Sequence, residues 1–142
     1  MGKINALAVP SDELVIQVAC DTVLVTPEGK ILEKPADWDE AFSMIKGMLG
    51  LQIRVVSVVH LRRNCKIHCF AEESDFVLWD REEISDTDIS GYLESVNYRD
   101  LAGGLAVQSC GMVLFKSIQG CYYNVMGFPI SKFYQELKEF MN

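Results

Sequence analysis

Apolar and polar positions along the chain fall into stretches of two periods, and the first stretch carries the main question. Residues 14–25 read Leu-Val-Ile-Gln-Val-Ala-Cys-Asp-Thr-Val-Leu-Val. A long apolar run rich in β-branched residues predicts a buried strand. Its single carboxylate is Asp21. A carboxylate in such a run must find a partner, keep its proton, or stand where the strand leaves the core. Pro27-Glu28-Gly29 then predicts a hairpin turn into a strand over 30–33. If Thr26 and Lys30 face each other across that turn, Thr22 lies opposite Lys34 and Asp21 opposite Pro35. Asp21 and Lys34 then become diagonal neighbours, roughly 7–8 Å apart at Cα.

The pattern continues in alternation. Residues 4–9 read as the tail of a helix ending before the Pro10-Ser11-Asp12 turn. Asp37 is a good N-cap, with Glu40 three residues on as in a capping box. Trp38, Ala41, Phe42, Ile45, Met48 and Leu49 recur at helical spacing, and Gly50 is a natural stop. Residues 53–61 predict a central strand, Arg62-Arg63-Asn64 a polar turn, and 66–70 and 75–79 two short strands. Ser85 caps a helix whose inner face is Ile89, Tyr92, Leu93 and Val96. A glycine turn precedes strands over 105–108 and 111–118, and a last amphipathic helix presents Phe133, Tyr134, Leu137, Phe140 and Met141. Mixed strands and helices give an α/β class, with a mixed twisted sheet flanked by helices in a single domain spanning 1–142.

Composition narrows the function classes. A formal charge of −7 argues against a broad duplex-binding surface, so no nucleic-acid polymer is expected as partner. It leaves room for a small anion held by a few local lysines. No apolar stretch reaches the length of a membrane span, and the first residues carry no signal-peptide core, so a cytoplasmic protein is expected. The five cysteines are odd in number and form no Cys-x-x-Cys pair, which predicts reduced, mostly buried thiols. His60, Cys65, His68 and Cys69 do not follow zinc-site spacing, and neighbouring His68 and Cys69 would point to opposite faces of a strand. Ala102-Gly103-Gly104 is not a phosphate-binding Walker loop, because no Gly-Lys-Ser/Thr follows.

The order of several motifs goes further. Asp21-Thr22-Val23 is followed by a turn glycine, Lys34-Pro35 and a helix with Glu40-Ala41. Then come Ala102-Gly103-Gly104, Gln108, and Gly120-Cys121-Tyr122-Tyr123-Asn124-Val125-Met126-Gly127-Phe128-Pro129. This set resembles the Maf family of nucleoside triphosphate pyrophosphatases, once described as septum-formation inhibitors. The resemblance runs from about Lys3 to the C-terminus, and the double glycine looks more like the eukaryotic members. It implies a nucleotide cleft in a mixed sheet, and hydrolysis of a (d)NTP to the monophosphate and pyrophosphate with a divalent cation, Mg²⁺ or Mn²⁺. The implied substrates are dTTP and UTP or modified nucleotides. By the same resemblance Asp21 matches the proton acceptor, Thr22 and Gln108 match positions tied to substrate choice, and Lys34 and Lys3 match phosphate-contacting lysines.

Each role has an ordinary counterpart. Asp21 can also bond a neighbouring amide, the lysines can be solvated surface groups, and Gln108 can bond backbone. The chain also departs from the family pattern. It shows no Ser- and Arg-rich phosphate loop, so it reads as N-terminally incomplete relative to the family. Leu101 stands where bacterial members have Lys, and Ile53 and Ser57-Val58 stand where a family His and Thr-Gly are expected. The alternative is therefore a catalytically weak or inactive Maf-derived domain that binds a nucleotide or a protein. An open sheet edge would further favour a homodimer.

Overall fold

The computed structural model describes residues 15–142. The helix expected over 4–9, the turn at Pro10-Ser11-Asp12, the start of the first strand at Leu14 and Lys3 lie outside the described residues. Five strands form one sheet in the order β2-β1-β3-β4-β5. They are β1 (Gln17–Val25), β2 (Ile31–Leu32), β3 (Gln52–Arg63), β4 (Lys66–Leu78) and β5 (Phe115–Gln119). The strand pairs described are all antiparallel. A parallel pairing appears as an isolated bridge between Leu49 and Leu78. The helices are α1 (Trp38–Met48), α2 (Asp86–Ser95), α3 (Tyr122–Met126) and α4 (Ile130–Met141).

The alternation on β3 decides how the layers stack. Ile53, Val55, Ser57, Val59 and Leu61 are buried, while the intervening residues are half-buried or exposed. Successive side chains on a strand point to opposite faces, so one face of β3 packs and the other stays open. Among the described residues, the two apolar clusters pack on the first face. At one end Ile53, Val55, Leu24, Phe76 and Leu78 meet Ala41, Ile45 and Met48 of α1 and Ile89, Tyr92 and Leu93 of α2. At the other end Val59, Leu61 and Phe70 meet Phe140, with Phe133 and Leu137 of α4 alongside. Burying a side chain such as Ile45, fully excluded from solvent, contributes roughly 1.5–3 kcal/mol.

Between the two apolar clusters sits a polar node. Asn124 of α3 is fully buried, and its amide nitrogen donates to the Glu72 carbonyl at 3.2 Å and the Ser74 hydroxyl at 3.1 Å. The Ser74 hydroxyl also accepts from the Cys121 amide at 3.1 Å. On β1 the Thr22 and Ser57 hydroxyls lie 2.7 Å apart, and Thr22 donates to the Gly127 carbonyl at 3.0 Å. The motif around residues 120–127 thus works as a polar rivet that sets α3 against three strands.

The capping signals read correctly. The Asp37 carboxylate accepts from the Glu40 amide at 2.8 Å, and Glu40 reaches back to the Ala36 amide at 2.7 Å. Ser85 and Asp88 form a reciprocal capping box. The first hairpin has the expected register: Thr26 and Lys30 close it at 2.9 Å, with Leu24 opposite Leu32. Its ladder stops at Leu32, so Thr22 and Lys34 do not pair.

Other expectations are corrected. The two short strands at 66–70 and 75–79 are one strand, β4, of 13 residues. The polar residues between them are carried on the surface by partners. Glu72 meets Lys132 at 3.7 Å, and Glu73 meets Arg54 at 3.6 Å. Residues 105–108 form no strand; Leu105, Ala106 and Val107 are a buried connection, and a 3₁₀ segment Ser109–Leu114 follows. The last strand therefore begins at Phe115. No thiol is fully buried: Cys65, Cys69 and Cys110 are exposed, and Cys20 and Cys121 are half-buried. On α4, Tyr134 and Met141 face solvent.

Candidate active site

The open face of the sheet holds the candidate site. Asp21 lies opposite Val58, and Ala19 opposite His60, across the β1–β3 ladder. Asp21 is therefore on the open face, exposed to solvent. That resolves its presence in an apolar run: β1 buries one side only, and the carboxylate stands on the other. A cleft of about 390 Å³ opens there, walled by Val23, Ile31, Val56 and Val58, with Asp21, Glu33, Lys34 and His60 as the titratable groups among its described residues. That volume lies within the range that accommodates a small ligand, and an apolar wall with a few polar groups is the usual make-up of such a site.

The chain path explains why Lys34 reaches the same cleft as Asp21. After the β2 pair, the strand exit is held by the turn at residues 102–104. The Gly103 amide donates to the Glu33 carbonyl at 2.9 Å. Gly103 has φ of 64°, and a Cβ there would stand 3.0 Å from Leu24 Cδ1. Only glycine combines that left-handed backbone with so close an approach. The next glycine gives its carbonyl to the Tyr92 hydroxyl at 2.9 Å, and that hydroxyl accepts from the Ala106 amide at 2.8 Å. Burial pushes the Tyr92 phenol up to about 12, opposed in part by the Ala106 amide. The Ala-Gly-Gly motif is thus a fastener for the segment that carries Lys34, and Ala102 itself lines the cleft.

The predicted residues divide into three groups. Asp21 and Lys34 come together in the cleft. Thr22 contributes to the same wall, but its hydroxyl faces the packed side and is committed to Ser57 and Gly127. Gln108 is exposed at the start of the 3₁₀ segment and is not among the cleft-lining residues. Lys3 lies outside the described residues. Two cleft residues, Glu33 and His60, were not anticipated there. The period-two pattern of β3 held the signal for His60, but using it required knowing that β1 and β3 are neighbours. His68, one position before Cys69, points to the packed side and bonds Glu136 at 2.6 Å, as the opposite-face expectation requires. Among the described residues, no three His, Cys, Asp or Glu side chains are grouped to hold a metal ion by themselves.

Beside Asp21, burial pushes the Cys20 thiol up, the Thr22 hydroxyl opposes this, and the Asp21 charge adds to it. The rise fits a half-buried side chain on the packed face, against the cluster of Val59, Leu61, Phe70 and Phe140.

Comparison with known proteins decides the family. The family model described as Maf-like protein matches residues 2–140. The chain belongs to the Maf-like family. A Maf-like relative from Clostridium kluyveri, named dTTP/UTP pyrophosphatase, is 35% identical over 127 residues, covering 89% of this chain and 65% of the relative. A protein of the same name from Caldanaerobacter subterraneus is 34% identical, covering 89% of this chain and 60% of its own. A third, from Clostridium beijerinckii, is 36% identical over 98% of this chain and 73% of its own. The chain thus spans 60% to 73% of the length of these relatives. No described helix is long and apolar enough to cross a membrane.

Proposed function

We propose that the chain hydrolyses nucleoside triphosphates to the monophosphate and pyrophosphate at the Asp21–Lys34 cleft, with dTTP and UTP as substrates. The observation that carries this reading is the meeting of Asp21 and Lys34 in one open cleft of a Maf-like chain. The base lies against Val23, Val56 and Val58, and the phosphates reach towards Lys34. Asp21 takes a proton from a water that attacks the phosphorus nearest the sugar. The new bond joins that water's oxygen to phosphorus, and the bond to the pyrophosphate oxygen breaks. The Lys34 ammonium offsets charge on the phosphates and the leaving group. Lys3 adds a second positive group in this reading. Thr22 and Gln108 are the proposed positions for substrate choice, with Thr22 acting through the placement of β1.

The carboxylates present fit a Mg²⁺ or Mn²⁺ that is bound largely by the substrate. Mg²⁺ typically takes one or two carboxylates together with phosphate oxygens and water, and Asp21 and Glu33 are the carboxylates among the described cleft residues. When bound, the ion supplies charge neutralisation on the phosphates.

One observation favours a second reading, a domain that binds nucleotide with little turnover. The described cleft residues include two carboxylates and one lysine, and no arginine. Pyrophosphate release across a nucleotide panel, run beside thermal-shift titration, separates the two. Release from dTTP or UTP that depends on added divalent metal supports the enzyme. Stabilisation by nucleotide without release supports the binding domain, and neither response refutes the cleft.

A further inference from the structure

The open face carries a second chemical feature that pyrophosphate release does not use. Cys69 of β4 lies directly opposite His60 of β3 in the ladder. Its Sγ is 3.6 Å from His60 Nε2. Cross-strand pairing holds the two side chains together, because directly opposed residues on one face stand side by side. Cys69 is exposed, and His60 is part of the cleft wall beside Asp21 and Lys34. The chain has two histidines, and the other, His68, is engaged by Glu136. Cys65, at the β3–β4 turn, and Cys110, in the 3₁₀ segment, share the exposure of Cys69. Among the described residues Cys69 is the thiol placed against an imidazole.

We propose that Cys69, with His60 as its proton acceptor, is a thiol modification site for small disulfides at the margin of the cleft. Thiol–disulfide exchange requires a thiolate and open access to a disulfide sulfur. The imidazole nitrogen takes the thiol proton. The Cys69 sulfur attacks one sulfur of a disulfide such as oxidised glutathione, and a new S–S bond forms as the old one breaks. The electron pair leaves on the departing thiolate, which takes the proton back from His60. Cys69 is oxidised to a mixed disulfide, and half of the reagent is reduced to free thiol. The attached group then stands against His60, at the wall where the nucleotide would lie. The thiol site stands on the Cys69–His60 geometry alone, and its effect on nucleotide binding rests on the reading given above.

The test treats the full chain with oxidised glutathione and follows each cysteine by peptide mass over time. Cys69 gains the glutathionyl group ahead of Cys65 and Cys110, and His60→Gln slows Cys69 to the rate of those two. Equal rates for the three thiols in the unaltered chain, a comparison that needs no variant, overturn the proposal. So does an unchanged Cys69 rate in a folded His60→Gln chain. In a second arm, modified and unmodified protein are titrated with dTTP by thermal shift. Loss of the nucleotide-induced shift on modification supports the coupling, and a full shift in the modified protein refutes it. An unmodified protein with no shift refutes the nucleotide reading instead, and the thiol proposal then stands or falls on the rates.

Discussion

Tyr92→Phe deletes one oxygen and leaves two buried backbone groups without partners. The Tyr92 ring is 3% exposed, and its hydroxyl joins the Gly104 carbonyl at 2.9 Å to the Ala106 amide at 2.8 Å. Gly104 and Ala106 are themselves buried, so water does not replace the lost oxygen without a rearrangement of the connection. Leaving a buried donor or acceptor unsatisfied costs about 1–3 kcal/mol for each group. Allowing for partial relaxation, the variant should lose roughly 2–4 kcal/mol. At about 3–4 °C per kcal/mol for a chain of this size, the melting temperature falls by roughly 6–15 °C. Urea unfolding with an unchanged m-value checks the loss, with Tyr134→Phe on the exposed face of α4 as control. The connection also carries the Gly103 bond to Glu33, so nucleotide affinity should weaken together with stability. A loss below about 0.5 kcal/mol, the range of ordinary surface changes, would refute the claim that Tyr92 anchors this segment.

Further outcomes follow from the same contacts. Because the Tyr92 phenol is pushed up to about 12 from 10.0, its ionisation favours the unfolded chain. Its contribution is complete below pH 10 and declines as the pH rises from 10 to about 12, which denaturation midpoints across that window should show. Gly111→Ala would put a Cβ 1.6 Å from the Ala106 carbonyl oxygen, so the variant should show a strong drop in soluble, cooperatively unfolding protein. Ser85→Ala removes the cap on Asp88 and should cost about 1 kcal/mol by chemical denaturation. Thr22→Val strands the buried Ser57 hydroxyl and should cost about 1–3 kcal/mol, whereas Thr22→Ser should keep most of the stability.

Local signals explain which parts of the fold were legible from residues alone. α1 and α2 were readable because a cap and a helical apolar period pointed the same way at Asp37 and Ser85. The first hairpin was readable because Pro27-Glu28-Gly29 fixed its register. Glu72 and Glu73 look like a break between two strands, and only their partners Lys132 and Arg54 show why β4 runs through. Residues 105–108 look like a strand by composition, yet their backbone is held by the Tyr92 hydroxyl, a long-range contact that no periodicity records. The thiols were expected to be buried because cysteine usually is, but β3 and β4 leave one face open and Cys69 stands on it.

For the candidate site, motif order names Asp21 and Lys34, and both line the cleft, although the hairpin ladder stops at Leu32 and does not itself bring them together. Glu33 and His60 were not legible, since their nearness to Asp21 depends on the β1–β3 pairing and on the glycine fastener at 103.

The central claim is that Asp21 is the base of a nucleotide-hydrolysing cleft, and pyrophosphate release by Asp21→Asn tests it most directly. Asp21 is exposed on the open face, so the amide should leave the fold and melting temperature essentially unchanged. Release from dTTP or UTP by the variant should fall by about 10²–10⁴-fold, the usual contribution of a positioned general base. Equal rates in a folded Asp21→Asn chain and the unaltered one would contradict the account.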